Sequence, residues 1–430
     1  MEPKNPSGKL GIVVGGGPAP GINGVISAVT IEAVLQGLEV YGFQDGFKWL
    51  IKGDTGHFRK LAINDVKAIH LKGGSVLGTS RTNPAKNEAD MKNVLETFGN
   101  LGISSLVTIG GDDTAYSCSQ VYHRAGGAIR VAHVPKTIDN DLPLAPSTPT
   151  FGFETARHYG VGIIRNLAED ARTTSRWYLL ISMGRAAGHL ALGMGKASAA
   201  TLTVIPEEFR GKSVDLDEVC DIILGSMLKR RMNGSNYGVG VLAEGLLEAI
   251  GEKGLSSMDD GQLKKYGRVE RDPHGHLRLG EIEFGRMVKD RLLQKLEEFN
   301  VTMTIIDKDL GYELRCADPI PFDAEYTRDL GYGAVKFLRS PEAGKFGAVI
   351  SLVGGRLDPI PFEKILDPVT KRMQTRKVDV DGEGFECARR YMIRLDKADF
   401  TIPDRLEALA ASVKWVPEKF KQRFGYLVGV

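Results

Sequence analysis

The 430-residue chain has only four cysteines, Cys118, Cys220, Cys316 and Cys387, and no CxxC pair among them. That spacing gives neither a zinc framework nor a disulfide scaffold, and it fits a reducing compartment. An excess of one charge is also missing: 56 Lys plus Arg against 54 Asp plus Glu leaves +2. No field of that size draws in nucleic acid or an anionic membrane, so neither is expected as a partner. Any anion must be held by local groups. Long apolar runs are absent as well. The longest, Ile22 to Val40, is broken by Asn23, Glu32, Gln36 and Glu39, which excludes a membrane-spanning helix. The segment Met1 to Pro6 lacks the apolar core of a secretory signal, so a cytoplasmic protein is expected. His274 and His276 form the one close histidine pair, and their glycine-rich surroundings read as an exposed turn.

The remaining composition is that of a globular protein, with 42% hydrophobic and 26% charged residues. The length exceeds what one core fills and implies two lobes. Short β-branched runs end repeatedly in glycine. Leu10–Val14 meets Gly15-Gly16-Gly17, Leu106–Ile109 meets Gly110-Gly111, and Trp177–Ser182 meets Met183-Gly184. Val239–Ala243 meets Glu244-Gly245, and Ala348–Val353 meets Gly354-Gly355. Such continuous runs suit strands of a parallel sheet buried on both faces. Helical periods lie between them, at Ile22, Val25, Ile26, Val29 and Ala33, and again from Glu281 to Phe299. Alternating strands and helices predict an α/β fold with ligands at the carboxyl ends of strands. The segment Asp141–Thr150, with Pro143 and Pro146, breaks both periods and marks a lobe boundary. The polar, glycine-rich stretch from 247 to 280 reads as a surface insertion.

Three loops carry chemistry. Gly15-Gly16-Gly17-Pro18-Ala19-Pro20-Gly21 joins a strand to a helix, where backbone N–H groups face an anion. Pro20 stands where GxGxxG needs glycine, which argues against a nicotinamide cofactor. Pro206 likewise rules out a P-loop ending at Gly211-Lys212-Ser213. Gly110-Gly111-Asp112-Asp113 places two carboxylates at a strand end, and Asp112 is a candidate Mg²⁺ ligand. Pro135-Lys136-Thr137-Ile138-Asp139-Asn140-Asp141 gathers a cation, a hydroxyl and two carboxylates within six residues. Phosphoryl transfer to a hydroxyl needs those groups: a base, a cation for developing charge, and donors that position the acceptor.

In their order, these loops resemble the phosphofructokinase family, and within it the pyrophosphate-dependent branch. The resemblance continues through Leu77-Gly78-Thr79-Ser80-Arg81, Thr150-Phe151-Gly152-Phe153-Glu154, Met183-Gly184-Arg185 and Ala243-Glu244-Gly245. It implies two Rossmann-like lobes with mostly parallel sheets and an active site in the cleft between them. The donor lobe is expected over 1–147, completed by about 311–365. The sugar-phosphate lobe is expected over 148–310, with a C-terminal extension at 366–430 packing on it. The resemblance assigns Gly16, Gly17 and Gly111 to the donor phosphates, with Arg81, and Asp112 to Mg²⁺. Asp139 becomes the base for the sugar's 1-hydroxyl, supported by Asp141. Thr137, Ile138, Met183, Gly184, Arg185 and Glu244 meet the acceptor, and Arg315 and Tyr312 meet its own phosphate. Tyr312 stands where short bacterial members have histidine, which leaves sedoheptulose 7-phosphate open as an acceptor beside fructose 6-phosphate. Arg176 matches an arginine that reaches a neighbouring subunit's site, implying a homodimer or homotetramer.

Two residues address the donor. Relatives that use ATP have glycine at the position of Asp113 and a small residue at that of Lys136. A carboxylate at 113 opposes a nucleotide's α-phosphate by like charge, and an ammonium at 136 stabilises a pyrophosphate leaving group. The alternatives are an ATP-dependent sugar-phosphate kinase and a non-catalytic regulatory subunit.

Overall fold

A computed structural model describes residues 8–146, 148–255, 258–268, 282–367 and 373–430. The chain divides into two compact units. The first is Met1–Tyr159 with Tyr312–Arg376, and the second is Gly160–Gly311 with Lys377–Val430. The divisions thus fall at 159/160, 311/312 and 376/377, where the sequence reading had placed them near 147, 310 and 365.

The first unit is built on a seven-stranded sheet. In chain order its strands are β1 (Lys9–Val14), β2 (Glu39–Phe43), β3 (Phe58–Leu61), β4 (Ile103–Gly110) and β5 (Arg130–Pro135). The second unit contributes β6 (Arg176–Ser182), β7 (Leu202–Val204), β8 (Gly238–Ala243) and β9 (Thr304–Leu310). The chain then returns to the first unit for β10 (Ala348–Val353) and β11 (Arg356–Pro361). The first sheet runs β11-β10-β5-β4-β1-β2-β3. Its five inner strands are parallel, and antiparallel β3 and β11 close the two edges. Continuous apolar strands are explained by burial on both faces. Ile12 and Val14 enter one core with Ile22, Val29 and Leu330, while Val13 enters another with Met91, Phe98 and Cys118. Each fully buried aliphatic side chain of this kind contributes roughly 1.5–3 kcal/mol.

β1 has β2 on one side and β4 on the other, so the winding direction reverses between β1 and β4. A crevice opens at the carboxyl ends of strands at such a reversal. Gly15 and Gly16 therefore lie at the carboxyl end of β1, beside Gly111 and Asp112 at that of β4. One glycine cluster has a different role. Gly354 and Gly355 take φ of 56° and 74° and join β10 to antiparallel β11, so they form a hairpin turn rather than a binding loop.

The second unit holds a four-stranded, wholly parallel sheet ordered β7-β8-β6-β9. The first part of the expected surface insertion is anchored in the interior by its apolar side chains. Leu247, Ile250, Leu255, Leu263 and Tyr266 are buried in this unit's core. The rest of that stretch, with His274 and His276, lies outside the described residues. Residues after 377 complete the core through Phe400, Leu409, Phe420 and Phe424. Their attachment is also ionic: Arg423 grips both oxygens of Asp221 at 2.6 and 2.9 Å, and Lys295 reaches Asp221 at 2.9 Å. No described helix is long and apolar enough to cross a membrane.

Candidate active site

The crevice of the first unit is a cavity of about 260 Å³. Gly16, Gly17, Arg81, Gly111, Asp112, Asp113, Lys136, Thr137 and Asp141 all line it. Three loops separated by up to 125 residues thus converge at the ends of β1, β4 and β5. The lining also includes Ser80, Thr82, Asn83 and Thr114, which sequence reasoning left unassigned. Their proximity to Arg81 and Asp113 was the available signal.

The glycine loop is held by its carbonyls. Thr79 Oγ1 donates to Gly16 O at 2.7 Å, Lys136 Nζ to Gly17 O at 2.5 Å, and Arg315 Nε to Pro18 O at 3.5 Å. The N–H of Gly16, expected to face the donor phosphate, is committed to Ser80 O at 2.8 Å. The residue's contribution is conformational: φ is 81°, and a Cβ there would come within 3.3 Å of Lys136 Nζ. Gly17, whose N–H has no acceptor among the described residues, is the amide the loop offers. A Cβ at Gly17 would lie 2.1 Å from an Arg315 guanidinium nitrogen, so the arginine lies across the loop in the space that a side chain at 17 would take.

Lys136 is 6% exposed. Burial pushes its ammonium down from 10.5 to about 8, and the Arg315 charge adds to that effect. Asp139 and Asp141 act in the opposite direction, and Arg81 again lowers it. The structure thereby gathers the lysine, both carboxylates and both arginines into one electrostatic cluster. Behind it lies a neutral imidazole. Burial pushes His133 down to about 3, and its ring nitrogens meet Thr108 Oγ1 at 2.8 Å and Gly110 O at 3.0 Å.

Asp112 and Asp113 open the helix Asp112–Arg124, where the helix dipole favours negative charge. Among the described residues, no group of three or more His, Cys, Asp and Glu is placed to hold a metal ion. Mg²⁺ commonly takes one or two protein carboxylates and completes its shell with phosphate oxygens and water. Asp112 at the cavity wall fits that mode.

The loop after β5 is shaped by its own side chains. Thr137 Oγ1 accepts from Asp139 N at 3.0 Å, and Thr150 Oγ1 donates to Thr137 O at 2.8 Å. Asn140 sits at φ 55°, an unusual conformation for a residue with a side chain. Arg376 holds it there. Its guanidinium donates to Asn140 O at 3.1 Å, to Asn140 Oδ1, to Ala145 O at 3.2 Å and to Thr148 O at 2.8 Å. Its backbone N–H reaches Asp141 O at 2.7 Å, and Met373 N donates to Asp112 Oδ1 at 2.6 Å. This strand of contacts from 373 to 376 was not found from sequence. Nothing in its local pattern distinguishes it from an ordinary tail.

Arg315 and Tyr312 also lie in this unit. Arg315 packs on the glycine loop, and its guanidinium lies 5.2 Å from the ring of Tyr312, which is 76% exposed.

The second unit carries its own cluster. The β6–β8 register pairs Ser182 with Ala243 and so sets Met183-Gly184-Arg185 beside Glu244-Gly245. Arg185 Nε donates to Glu244 Oε1 at 3.1 Å. A Cβ on Gly245 would stand 2.4 Å from Arg185 O, so the close approach depends on glycine. Met183 packs against Gly311 in the same way. Arg176 begins β6, whereas Arg185 lies beyond its end, so the seven-residue strand separates them. At about 3.3 Å per residue that is over 20 Å, and the unit does not bring the two arginines together.

Residues 9–338 match the phosphofructokinase family. A Thermotoga maritima protein named pyrophosphate–fructose 6-phosphate 1-phosphotransferase is 52% identical over 416 residues, covering 97% of this chain and 98% of that protein. A Naegleria fowleri protein of the same name is 47% identical over 435 residues, covering 100% of this chain and 97% of the relative. The fold is similar to the crystal structure of a pyrophosphate-dependent phosphofructokinase from Marinobacter aquaeolei. The TM-score is 0.65 at 17% identity, over 90% of each chain.

Proposed function

The chain belongs to the phosphofructokinase family, and from that premise we propose that it transfers a phosphoryl group from pyrophosphate to the 1-hydroxyl of fructose 6-phosphate. The products are fructose 1,6-bisphosphate and phosphate. One phosphoanhydride is exchanged for one ester, without the energy gap of a nucleotide donor, so the reaction serves glycolysis in both directions.

The observation that carries the donor assignment is the buried ammonium of Lys136 against Gly17 O, in a cavity also lined by Asp113. The cavity, at about 260 Å³, is below the roughly 300 Å³ at which pockets for drug-sized ligands begin. That suits the compact pyrophosphate anion better than a nucleotide. Gly17 N–H, Arg81 and Lys136 hold the donor and offset charge that develops on the leaving phosphate. Asp112 would hold Mg²⁺, whose chemistry is to neutralise phosphate oxygens. Asp139 takes the proton from the attacking hydroxyl, and Asp141 and Thr137 fix the loop that presents it. Met183, Gly184, Arg185 and Glu244 of the second unit bind the acceptor, with Arg315 and Tyr312 toward its phosphate. Arg176, far from Arg185 on its own strand, acts in a neighbouring subunit's site of a homo-oligomer. All four cysteines are free thiols, which supports a cytoplasmic setting.

The test is donor-swapped steady-state kinetics with fructose 6-phosphate. Turnover with pyrophosphate should exceed that with ATP by orders of magnitude, and equal turnover would refute the donor assignment. In parallel, Asp139→Ala should lose roughly 10²–10⁴-fold in kcat with an unchanged far-UV spectrum. Retained rate would remove Asp139 from the role of base.

A further inference from the structure

The second unit contains a separate cavity of about 220 Å³. Its walls carry Lys212, Arg389 and Arg394, two glutamates, Glu208 and Glu218, and an apolar side that includes Phe209 and Leu395. Nothing in the phosphotransfer chemistry uses these residues.

The charges do not balance locally. Arg394 is satisfied by Glu208 at 2.6 Å, and both are largely buried. Lys212 is the cation that acts on Glu218. Arg389 is left over: it makes no ion pair among the described residues, although it is only partly exposed in the last turn of the helix Glu383–Tyr391. A half-buried guanidinium without a bonded carboxylate is costly unless an anion reaches it. Its environment bears this out. Burial pushes Arg389 down from 12.5 to about 10, and the Arg394 charge adds to the effect against the weaker pull of Glu208 and Asp396.

We propose that this cavity is a binding site for a small phosphate monoester, with the phosphate on Arg389 and Lys212 and the carbon skeleton against Phe209 and Leu395. The planar, five-donor fork of arginine matches a tetrahedral oxyanion. The apolar wall is what an ester offers that free phosphate lacks. The volume restricts the occupant to a few carbon atoms. Part of the wall comes from residues after 377, beyond the region that matches the family.

The test is calorimetric titration of the full chain with glycerol 3-phosphate, and in a second arm with inorganic phosphate. Wild type is compared with Arg389→Gln and with Lys212→Gln, whose side chain is exposed and tolerates exchange. The signal of interest is the component of binding lost in the variants. It should weaken at least tenfold in Arg389→Gln and about threefold in Lys212→Gln, while both keep basal turnover. Tighter binding of the ester than of phosphate supports the site with the apolar wall engaged. Equal binding supports the oxyanion site with phosphate itself as occupant. Absence of binding in both arms, or binding unchanged in both variants, would overturn the proposal.

Discussion

Replacing Lys136 by methionine should destroy pyrophosphate turnover and yet stabilise the protein. The ammonium is held at about 8 against an ordinary value of 10.5. A difference of about 2.5 units corresponds to roughly 3 kcal/mol of strain on the charged form at neutral pH. Methionine keeps the unbranched length and removes the charge. It also gives up the hydrogen bond to Gly17 O, worth about 1.5–3 kcal/mol for a charged donor. The net expectation is a gain of up to about 1.5 kcal/mol, read as a rise in urea midpoint with unchanged slope. The pH dependence supplies a second reading. Between about pH 8 and 10.5 the unfolded chain binds the proton that the folded chain has released. The wild-type penalty is therefore fully present below pH 8 and is relieved as pH rises through that window. The stability difference between Lys136→Met and wild type should shrink toward zero or reverse over the same range. In the free enzyme, kcat/KM for pyrophosphate should fall above about pH 8 as the ammonium is lost, and Lys136→Arg should remove that limb. A variant that is less stable than wild type at pH 7, with a difference independent of pH, would refute the reasoning.

Other expectations concern single contacts. Asp113→Gly combined with Lys136→Gly should relax the discrimination against ATP, measured as the ratio of kcat/KM values for the two donors. Arg376→Met should cost about 2–3 kcal/mol and lower kcat roughly 10- to 100-fold, because the Asn140 and Asp141 backbone loses its clamp. Arg376→Lys should recover only part of that rate. Gly245→Ala, which forces a Cβ to 2.4 Å from Arg185 O, should cost about 1–3 kcal/mol. Its kcat/KM for fructose 6-phosphate should fall more than that for pyrophosphate.

The sequence by itself determined the α/β class, most strands and the glycine-rich and acidic loops that line the crevice. Strands buried on both faces are written as unbroken apolar runs, and a phosphate loop needs glycine next to a strand end. Both are local signals, as at Leu10–Gly17 and Val131–Asp141. Tertiary structure decided what each group does with its hydrogen bonds. Gly16 looks like a donor in sequence, yet its N–H is used by Ser80, a pairing that only the β1 crevice creates. Gly354-Gly355 matched the other clusters until β11 turned back beside β10. Arg376 follows Asn140 by more than two hundred residues, and its four contacts are mainly to backbone carbonyls, which every residue possesses. No pattern of residue types encodes such a partner. The depressed ammonium of Lys136 likewise arises from burial beside Arg315, which the chain supplies only after residues 160–311 have formed another unit. Residue chemistry is local and can be read along the chain, whereas burial and charge balance depend on which distant segments fold against each other.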